Sequence, residues 1–373
     1  MDKILALRAG AEAVAQWAQL ASLVELVAGI ALAGIGSGLA VLVAQAVDAE
    51  RRRDFLREAL RMGLALSAAP VAGVLACAAL FDTGLPRLTI AEAALAGWIA
   101  VIPGLLASYW LGRQRRDAQL ALATLSALLA VSAAALAPPG WMLQWLLAAQ
   151  AAPALALFIV WKPRLQQRDP AQAVALRQFL LPGIAVGVLG PASLVAARAL
   201  VAGALSWHDA GVLQALWRLS EWIWSVASGV LSVLYFARMS AAHPRGELTV
   251  VTRAAARAVL LPSTLLYVLL FAVHRPLLAL LYDASFEVPA TVAALIFAGS
   301  VLRIASWIPL YALYAMSRTW AIAWGELLSL PLFAAMLAAW GEHLTLERAG
   351  LSWLLAYVAY AAFNYWAMRK APK

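Results

Sequence analysis

The chain has 373 residues, of which 64% are hydrophobic and only 13% are charged. Soluble domains are roughly 45–50% apolar and about 25% charged, so this composition excludes an ordinary soluble globule and a disordered chain. The net charge of +9 would suggest nucleic-acid binding in a soluble protein, but here the basic residues must first be placed relative to a membrane.

Eleven apolar runs are each long enough to cross a bilayer, because a membrane helix takes about 20 residues. Backbone polar groups cannot stay unpaired in hydrocarbon, so each run is predicted to be a helix. The predicted spans are 18–46, 62–81, 91–111, 119–137, 141–161, 179–204, 210–236, 256–280, 288–316, 319–340 and 350–367. We therefore expect an all-α polytopic membrane protein with little chain left for a soluble catalytic domain.

Twenty of the 28 lysines and arginines lie in the segments that follow every second span. By the positive-inside rule these segments are cytoplasmic. The N-terminus is then predicted on the outer side of the inner membrane and the C-terminus on its cytoplasmic side. Most of the net charge is thus a topology signal, and no nucleic-acid partner is expected.

A polar cytoplasmic segment near the middle, KPRLQQRDPAQAVALRQ (162–178), is predicted to separate two helical lobes. The first lobe, 1–161, has about five spans, and the second, 179–373, has six. The pattern of the segment favours a short amphipathic surface helix.

Three arginines lie inside predicted spans, where a charge costs a few kcal/mol and points to function. The planar guanidinium fork suits phosphate or pyrophosphate, so Arg198, Arg303 and Arg218 are candidate ligands for an anionic headgroup. The alternative is structural. Arg218 is three residues from Glu221 on the same helix face, and Arg198 and Arg303 could pair across helices with Glu221 or Glu326.

Three carboxylates accompany these arginines inside the spans. Glu25 and Glu326 are candidate proton carriers for coupling, because burial favours the protonated form of a carboxyl group, and Glu221 is an ion-pair candidate. Tryptophans beside the charges suit either sugar faces or lipid-facing packing. They are Trp217, Trp222 and Trp224 near Glu221, and Trp307, Trp320 and Trp324 near Arg303 and Glu326.

Enzyme motifs are absent from the sequence. It has no Walker loop, no HExxH, no Cys/His cluster and no GxSxG elbow. The single Cys77 excludes an intrachain disulfide. No catalytic residue, metal or cofactor is expected, and Asp209 in the outer turn SWHDAG is predicted to be a helix N-cap.

The stretch RALVAGALSWHDAGVLQALWRLSEWIW (198–224) resembles the O-antigen and enterobacterial common antigen flippases. GSVLRIASWIPLYALYAMSR and GELLSL look like that family's tenth helix and the start of its eleventh, with a basic residue where Arg303 stands. The matching positions in the first stretch are Arg198, Ser206, Trp207, Asp209, Gly211, Gln214 and Glu221.

The resemblance implies the multidrug/oligosaccharidyl-lipid/polysaccharide exporter fold, with two six-helix lobes around a central cavity. It implies a polyprenyl-pyrophosphate-linked oligosaccharide as substrate, moved to the periplasmic leaflet for lipopolysaccharide and O-antigen assembly, with membrane lipids and other assembly proteins as partners. The family has twelve helices; residues 1–13 look like the tail of a first helix that is otherwise missing. Two alternatives stay open: a small-molecule or drug antiporter on the same fold, and a membrane glycosyltransferase or polymerase of the same pathway.

Overall fold

The computed structural model describes residues 1–80, 84–161, 170–177, 179–282, 285–316 and 318–370. Within these ranges the ordered elements are helices, and none is a strand, so the predicted all-α membrane architecture is confirmed. Fifteen α-helices follow one another: α1 (Asp2–Ile30), α2 (Ser37–Gln45), α3 (Ala49–Leu80), α4 (Arg87–Gly112), α5 (Arg116–Leu136), α6 (Met142–Trp161), α7 (Pro170–Arg177), α8 (Leu180–Ala204), α9 (Trp207–Val230), α10 (Phe236–Ala242), α11 (Leu248–Leu281), α12 (Ala290–Ala315), α13 (Thr319–Leu327), α14 (Leu330–Trp340) and α15 (Leu346–Arg369).

Eight segments of the described chain are long and apolar enough to cross a membrane. A ninth is formed if the bent pair Trp207–Tyr235 and Arg238–Arg245 counts as one span. Helices α6 and α15 occupy the positions of the fifth and eleventh predicted spans. Each of the eleven predicted runs therefore coincides with helix.

The tenth predicted span is divided into α13 and α14 at Leu328 and Ser329. Pro331 lies in the first turn of α14, where proline is tolerated. Further along a continuous helix the same residue would remove a backbone hydrogen bond and clash with the carbonyl four residues earlier. The break places Glu326 within two residues of the end of α13.

The chain forms two compact units by contact: Met1–Ala9 with Gln16–Val195, and Gly10–Ala15 with Ala196–Lys373. The segment 10–15 begins at Gly10, whose φ of 77° interrupts α1 with a conformation that favours glycine. The predicted division at 162–178 stays a prediction, and Lys162, Arg164 and Arg168 lie outside the described residues.

The first unit has a core formed by α1, α2, α3 and α4, with Leu176 of α7 fully buried in it. Helix α7 lies within the segment 162–178, where a short amphipathic helix was expected. Helices α1 and α8 cross at two glycines: a Cβ on Gly29 would lie 2.3 Å from the carbonyl oxygen of Gly187. Small residues at such a crossing allow backbones to approach closely.

Both units contain a π-helical segment in the middle of a long span. Ala31–Gly36 joins α1 to α2, and Leu231–Tyr235 joins α9 to α10. The order of elements after each segment also recurs, with α4 and α12 each preceded by a proline N-cap, Pro86 and Pro289. The second unit contains the candidate site.

Candidate functional site

The guanidinium of Arg303, near the middle of α12, lies over four aromatic rings. Its central carbon is 4.3 Å from the ring centre of Trp224, 5.4 Å from Trp307, 5.6 Å from Tyr357 and 5.9 Å from Trp353. We call these four rings the aromatic cage.

Helical spacing explains the cage. Trp307 is four residues after Arg303 on α12, and Trp353 and Tyr357 are four apart on α15, so each pair shares one helix face. Trp224 comes from α9, which packs on α12. Each cation–π contact is worth about 0.5–2 kcal/mol, and the larger values apply to desolvated sites.

The guanidinium of Arg303 has hydrogen-bonding capacity to spare. Among the described residues, no carboxylate oxygen lies within 4.0 Å of it and no hydrogen bond reaches it. The ring faces attract the guanidinium but carry no net charge and do not satisfy its five N–H donors. An anion with oxygen acceptors would satisfy these donors.

Glu326 is held at the break between α13 and α14. The hydroxyl of Tyr360 on α15 donates a hydrogen bond of 2.7 Å to its Oε1, and the hydroxyl of Ser329 donates one of 2.7 Å to its backbone carbonyl. Glu326 interacts electrostatically with Arg303 but forms no salt bridge with it. The Arg303–Glu326 ion pair considered from the sequence is therefore replaced by a longer-range interaction.

Arg198 on α8 is buried, with 5% of its surface exposed, and its Nε donates a hydrogen bond of 2.8 Å to Oε1 of Gln214 on α9. This partner is an amide, whereas the sequence suggested a carboxylate. The turn between the helices differs from the prediction in one detail, because Ser206 and not Asp209 is the N-cap: its hydroxyl accepts from the Asp209 backbone N–H at 3.0 Å. An N-cap side chain accepts a hydrogen bond from the backbone N–H two or three residues later, and Ser206 stands three residues before Asp209.

Arg218 and Glu221 form the local ion pair considered from their spacing, with 2.5 Å between Nη1 and Oε2. Their side chains are 33% and 31% exposed, so the pair is half-buried. Glu25 belongs to the first unit, where its side chain is exposed on α1.

A cavity of about 370 Å³ lies beside the aromatic cage, and Trp307 lines both. We call it the aromatic pocket; its walls are Ser228, Phe236, Trp307, Leu310, Tyr311 and Tyr314. Among the described residues, no group of three or more His, Cys, Asp or Glu side chains could hold a metal ion.

Sequence reasoning placed some aromatic residues correctly and missed others. Trp307 contacts Arg303 as expected, and Trp224, which was expected near Glu221, contacts Arg303 as well. Trp320 and Trp324 are 78% and 58% exposed on α13 and are not part of the cage. The missed residues of α15 carry a signal, because aromatic side chains repeat on one face of the stretch WLLAYVAY. They are Trp353, Tyr357 and Tyr360.

Comparison with solved structures identifies the fold. A multidrug resistance MATE family transporter of the MOP superfamily has a TM-score of 0.73 at 12% identity, over 100% of this chain and 96% of that chain. The lipid II flippase MurJ has a TM-score of 0.72 at 11% identity, over 99% and 85%. A Vibrio cholerae MATE transporter has a TM-score of 0.62 at 14% identity, over 99% and 90%.

No protein-family model and no curated protein matches the sequence. At 11–14% identity the structural likeness shows the fold alone. The chain therefore has the helical fold shared by MATE transporters and the MurJ flippase.

Proposed function

We propose that this protein moves a polyprenyl-pyrophosphate-linked oligosaccharide across the inner membrane by alternating access, for surface polysaccharide assembly. The observation that carries the proposal is Arg303: a guanidinium inside a membrane span, caged by four rings, with unused N–H donors and no carboxylate at ion-pair distance among the described residues. A pyrophosphate supplies both the negative charge and the acceptor geometry that such a group lacks.

The fold supports this reading, because one protein of similar structure is a flippase for lipid II. The sequence resemblance of 198–224 and 299–330 to the O-antigen and common antigen flippases points to the same substrate class. Arg303, Arg198 and Gln214 all fall within those stretches.

Arg198, which is buried, and Arg303, which is partly exposed, contact α9 at different heights along its axis. Their contacts on that helix, Gln214 for Arg198 and Trp224 for Arg303, are ten residues apart, which is about 15 Å along the axis. The Arg218–Glu221 pair lies between them in the sequence of α9. We infer that the headgroup contacts Arg303 first on the cytoplasmic side, then Arg218, and Arg198 last.

A second candidate is a drug antiporter, which the likeness to MATE transporters supports equally well as a fold. The positive charge of Arg303 distinguishes the flippase from the drug antiporter. Antiporter substrates of this kind are usually cations, and the Arg303 guanidinium repels a cation, whereas it attracts a pyrophosphate. Glu326 is the carboxylate that interacts electrostatically with Arg303, and its Oε1 already accepts a hydrogen bond from the Tyr360 hydroxyl.

The proposal is tested by measuring binding of a fluorescent polyprenyl-pyrophosphate disaccharide to the full chain in nanodiscs. Arg303→Met keeps most of the side-chain volume but loses the charge. It should weaken binding at least about tenfold, since hydrogen bonds to a charged group are worth roughly 1.5–3 kcal/mol. Arg303→Lys keeps the charge without the fork and should bind with intermediate affinity.

Arg257→Ala on α11 is the matched control, because that arginine is exposed and should not affect binding. Arg198→Ala should bind the probe nearly as well as wild type yet translocate it more slowly. Wild-type affinity in Arg303→Met, with the same amount of folded protein, would refute the headgroup role.

A further inference from the structure

The aromatic pocket beside Arg303 is lined mainly by residues that do not contact the proposed pyrophosphate position. Three of its walls are aromatic residues of α12 spaced at three and four residues, Trp307, Tyr311 and Tyr314, so they follow one face of that helix. The opposite wall comes from Ser228 on α9 and Phe236 on α10.

The π-helical segment Leu231–Tyr235 brings Phe236 to this wall. In a regular helix Ser228 and Phe236, eight residues apart, would point about 80° away from each other. A π turn accommodates one additional residue, so the spacing acts like seven residues and the two side chains point to within about 20° of each other. The Phe236 ring accordingly lies 6.0 Å from that of Tyr311, centre to centre.

The pocket is uncharged, and its walls present flat aromatic rings and hydroxyl groups. None of its six lining residues is ionisable near neutral pH, which favours an uncharged ligand group. The hydroxyls of Ser228, Tyr311 and Tyr314 have no hydrogen-bond partner within the described part of the chain. A hydrocarbon chain would leave these hydroxyls unpaired on binding, at a cost of roughly 1–3 kcal/mol for each.

A sugar ring fits this combination. A pyranose presents C–H groups on its faces, which pack on aromatic rings, and hydroxyls around its edge, which pair with the tyrosine and serine hydroxyls. The volume of about 370 Å³ is at the small end of ligand pockets, which span roughly 300–1,000 Å³, and suits one or two sugar rings.

The pocket also has a fixed relation to the anion position. Trp307 is common to the cage and the pocket, and its ring lies 5.7 Å from that of Trp224 at an interplanar angle of 82°. A ligand with a pyrophosphate at Arg303 therefore has its adjoining group next to Trp307. A lipid-linked oligosaccharide has the polyprenyl chain on one side of the pyrophosphate and the first sugar on the other, and the hydroxyl groups that line the pocket favour the sugar.

We infer that the aromatic pocket binds the first sugar of the glycan attached to the pyrophosphate, and so contributes to substrate selection. The inference rests on the proposed function, because the pyrophosphate at Arg303 is what places the sugar there. It assigns to Tyr311, Tyr314 and Ser228 a role in specificity, separate from the affinity supplied by Arg303.

Two synthetic probes separate the contributions: farnesyl pyrophosphate, which has no sugar, and farnesyl-pyrophosphoryl N-acetylglucosamine. Their dissociation constants are measured with the full chain in nanodiscs. Wild type should bind the sugar-bearing probe about tenfold more tightly. Tyr311→Ala should abolish this preference while it leaves the affinity for farnesyl pyrophosphate within about twofold.

Ser228→Phe is a second variant that removes no ring; it fills the pocket and should abolish the preference in the same way. Trp320→Ala, which removes an exposed ring on α13, is the control and should keep the wild-type preference. Thermal unfolding midpoints check that all three variants are folded.

The outcomes distinguish the two proposals. Equal binding of both probes by wild type, or a parallel loss of both in Tyr311→Ala and Ser228→Phe, overturns the sugar subsite. If Arg303→Met still weakens both probes, the proposed function survives that result. If wild type binds neither probe, the proposed function fails and the inference fails with it.

Discussion

The crossing of α1 and α8 at Gly29 and Gly187 provides a quantitative test of the packing. A Cβ on Gly29 would lie 2.3 Å from the carbonyl oxygen of Gly187, and a Cβ on Gly187 would lie 2.4 Å from that of Gly29. These are backbone atoms, which cannot rotate away as a side chain can. Gly29→Ala must therefore separate the two helices by about 1 Å or strain both.

Overpacking of this kind costs about 1–3 kcal/mol, and occasionally more. Gly73→Ala on α3 is the matched control, because a Cβ there has no atom within 4 Å. Alanine is favoured over glycine in a helix interior by about 1 kcal/mol, so the control should be as stable as wild type or more stable. Both substitutions gain this helix propensity, so the two variants should differ in free energy of unfolding by the overpacking cost alone, about 1–3 kcal/mol.

The assay is the apparent unfolding midpoint of purified protein in detergent, followed by tryptophan fluorescence. Gly29→Ala should unfold about 1–4 °C below Gly73→Ala, because an unfolding entropy of about 2.1 cal/mol/K per residue gives roughly 1.3 °C per kcal/mol for 373 residues. Equal midpoints for Gly29→Ala and Gly73→Ala would refute the close crossing of α1 and α8.

Three further outcomes follow from other parts of the molecule. Gln214→Leu removes the Oε1 acceptor that the buried Arg198 contacts on α9 and should lower the free energy of unfolding by about 1.5–3 kcal/mol, whereas Gln214→Glu should not; equal stability of the two variants would contradict the hydrogen bond. In a Cys77→Ser background, a membrane-impermeant maleimide added to intact spheroplasts should label Glu342→Cys but not His243→Cys, and the reverse pattern would invert the topology. Glu326→Gln should remove the pH dependence of transport and Glu25→Gln should keep it; an unchanged profile in Glu326→Gln would exclude Glu326 as the proton carrier.

The helices were predictable because hydrophobic length alone determines them in a membrane chain. Each predicted span coincides with helix, but the break before α14 was not predicted, because Pro262 and Pro309 lie inside continuous helices whereas Pro331 lies in the first turn of one. The π segment at Leu231–Tyr235 was not predictable. Its sequence, LSVLY, carries no compositional signal that distinguishes it from the α-helix on either side.

The sequence predicted the charged residues of the candidate site but not the residues that contact them. The cost of a guanidinium in hydrocarbon identified Arg198 and Arg303 directly. Their surroundings depend on which helices pack together: Gln214 reaches Arg198 across a turn, and Tyr357 reaches Arg303 from a helix more than fifty residues away. A single sequence gives helix faces, but it does not give the pairing of those faces.

The central claim is that the substrate is an anionic lipid-linked sugar rather than a cation. It is tested most directly in proteoliposomes that contain the full chain and a polyprenyl-pyrophosphate disaccharide with a fluorophore on the sugar. A membrane-impermeant quencher is added outside. The account predicts that the protected inner-leaflet pool becomes quenched with wild type but not with Arg303→Met, and that ethidium loaded inside the same vesicles is retained. Release of ethidium with no change in the protected lipid pool would contradict it.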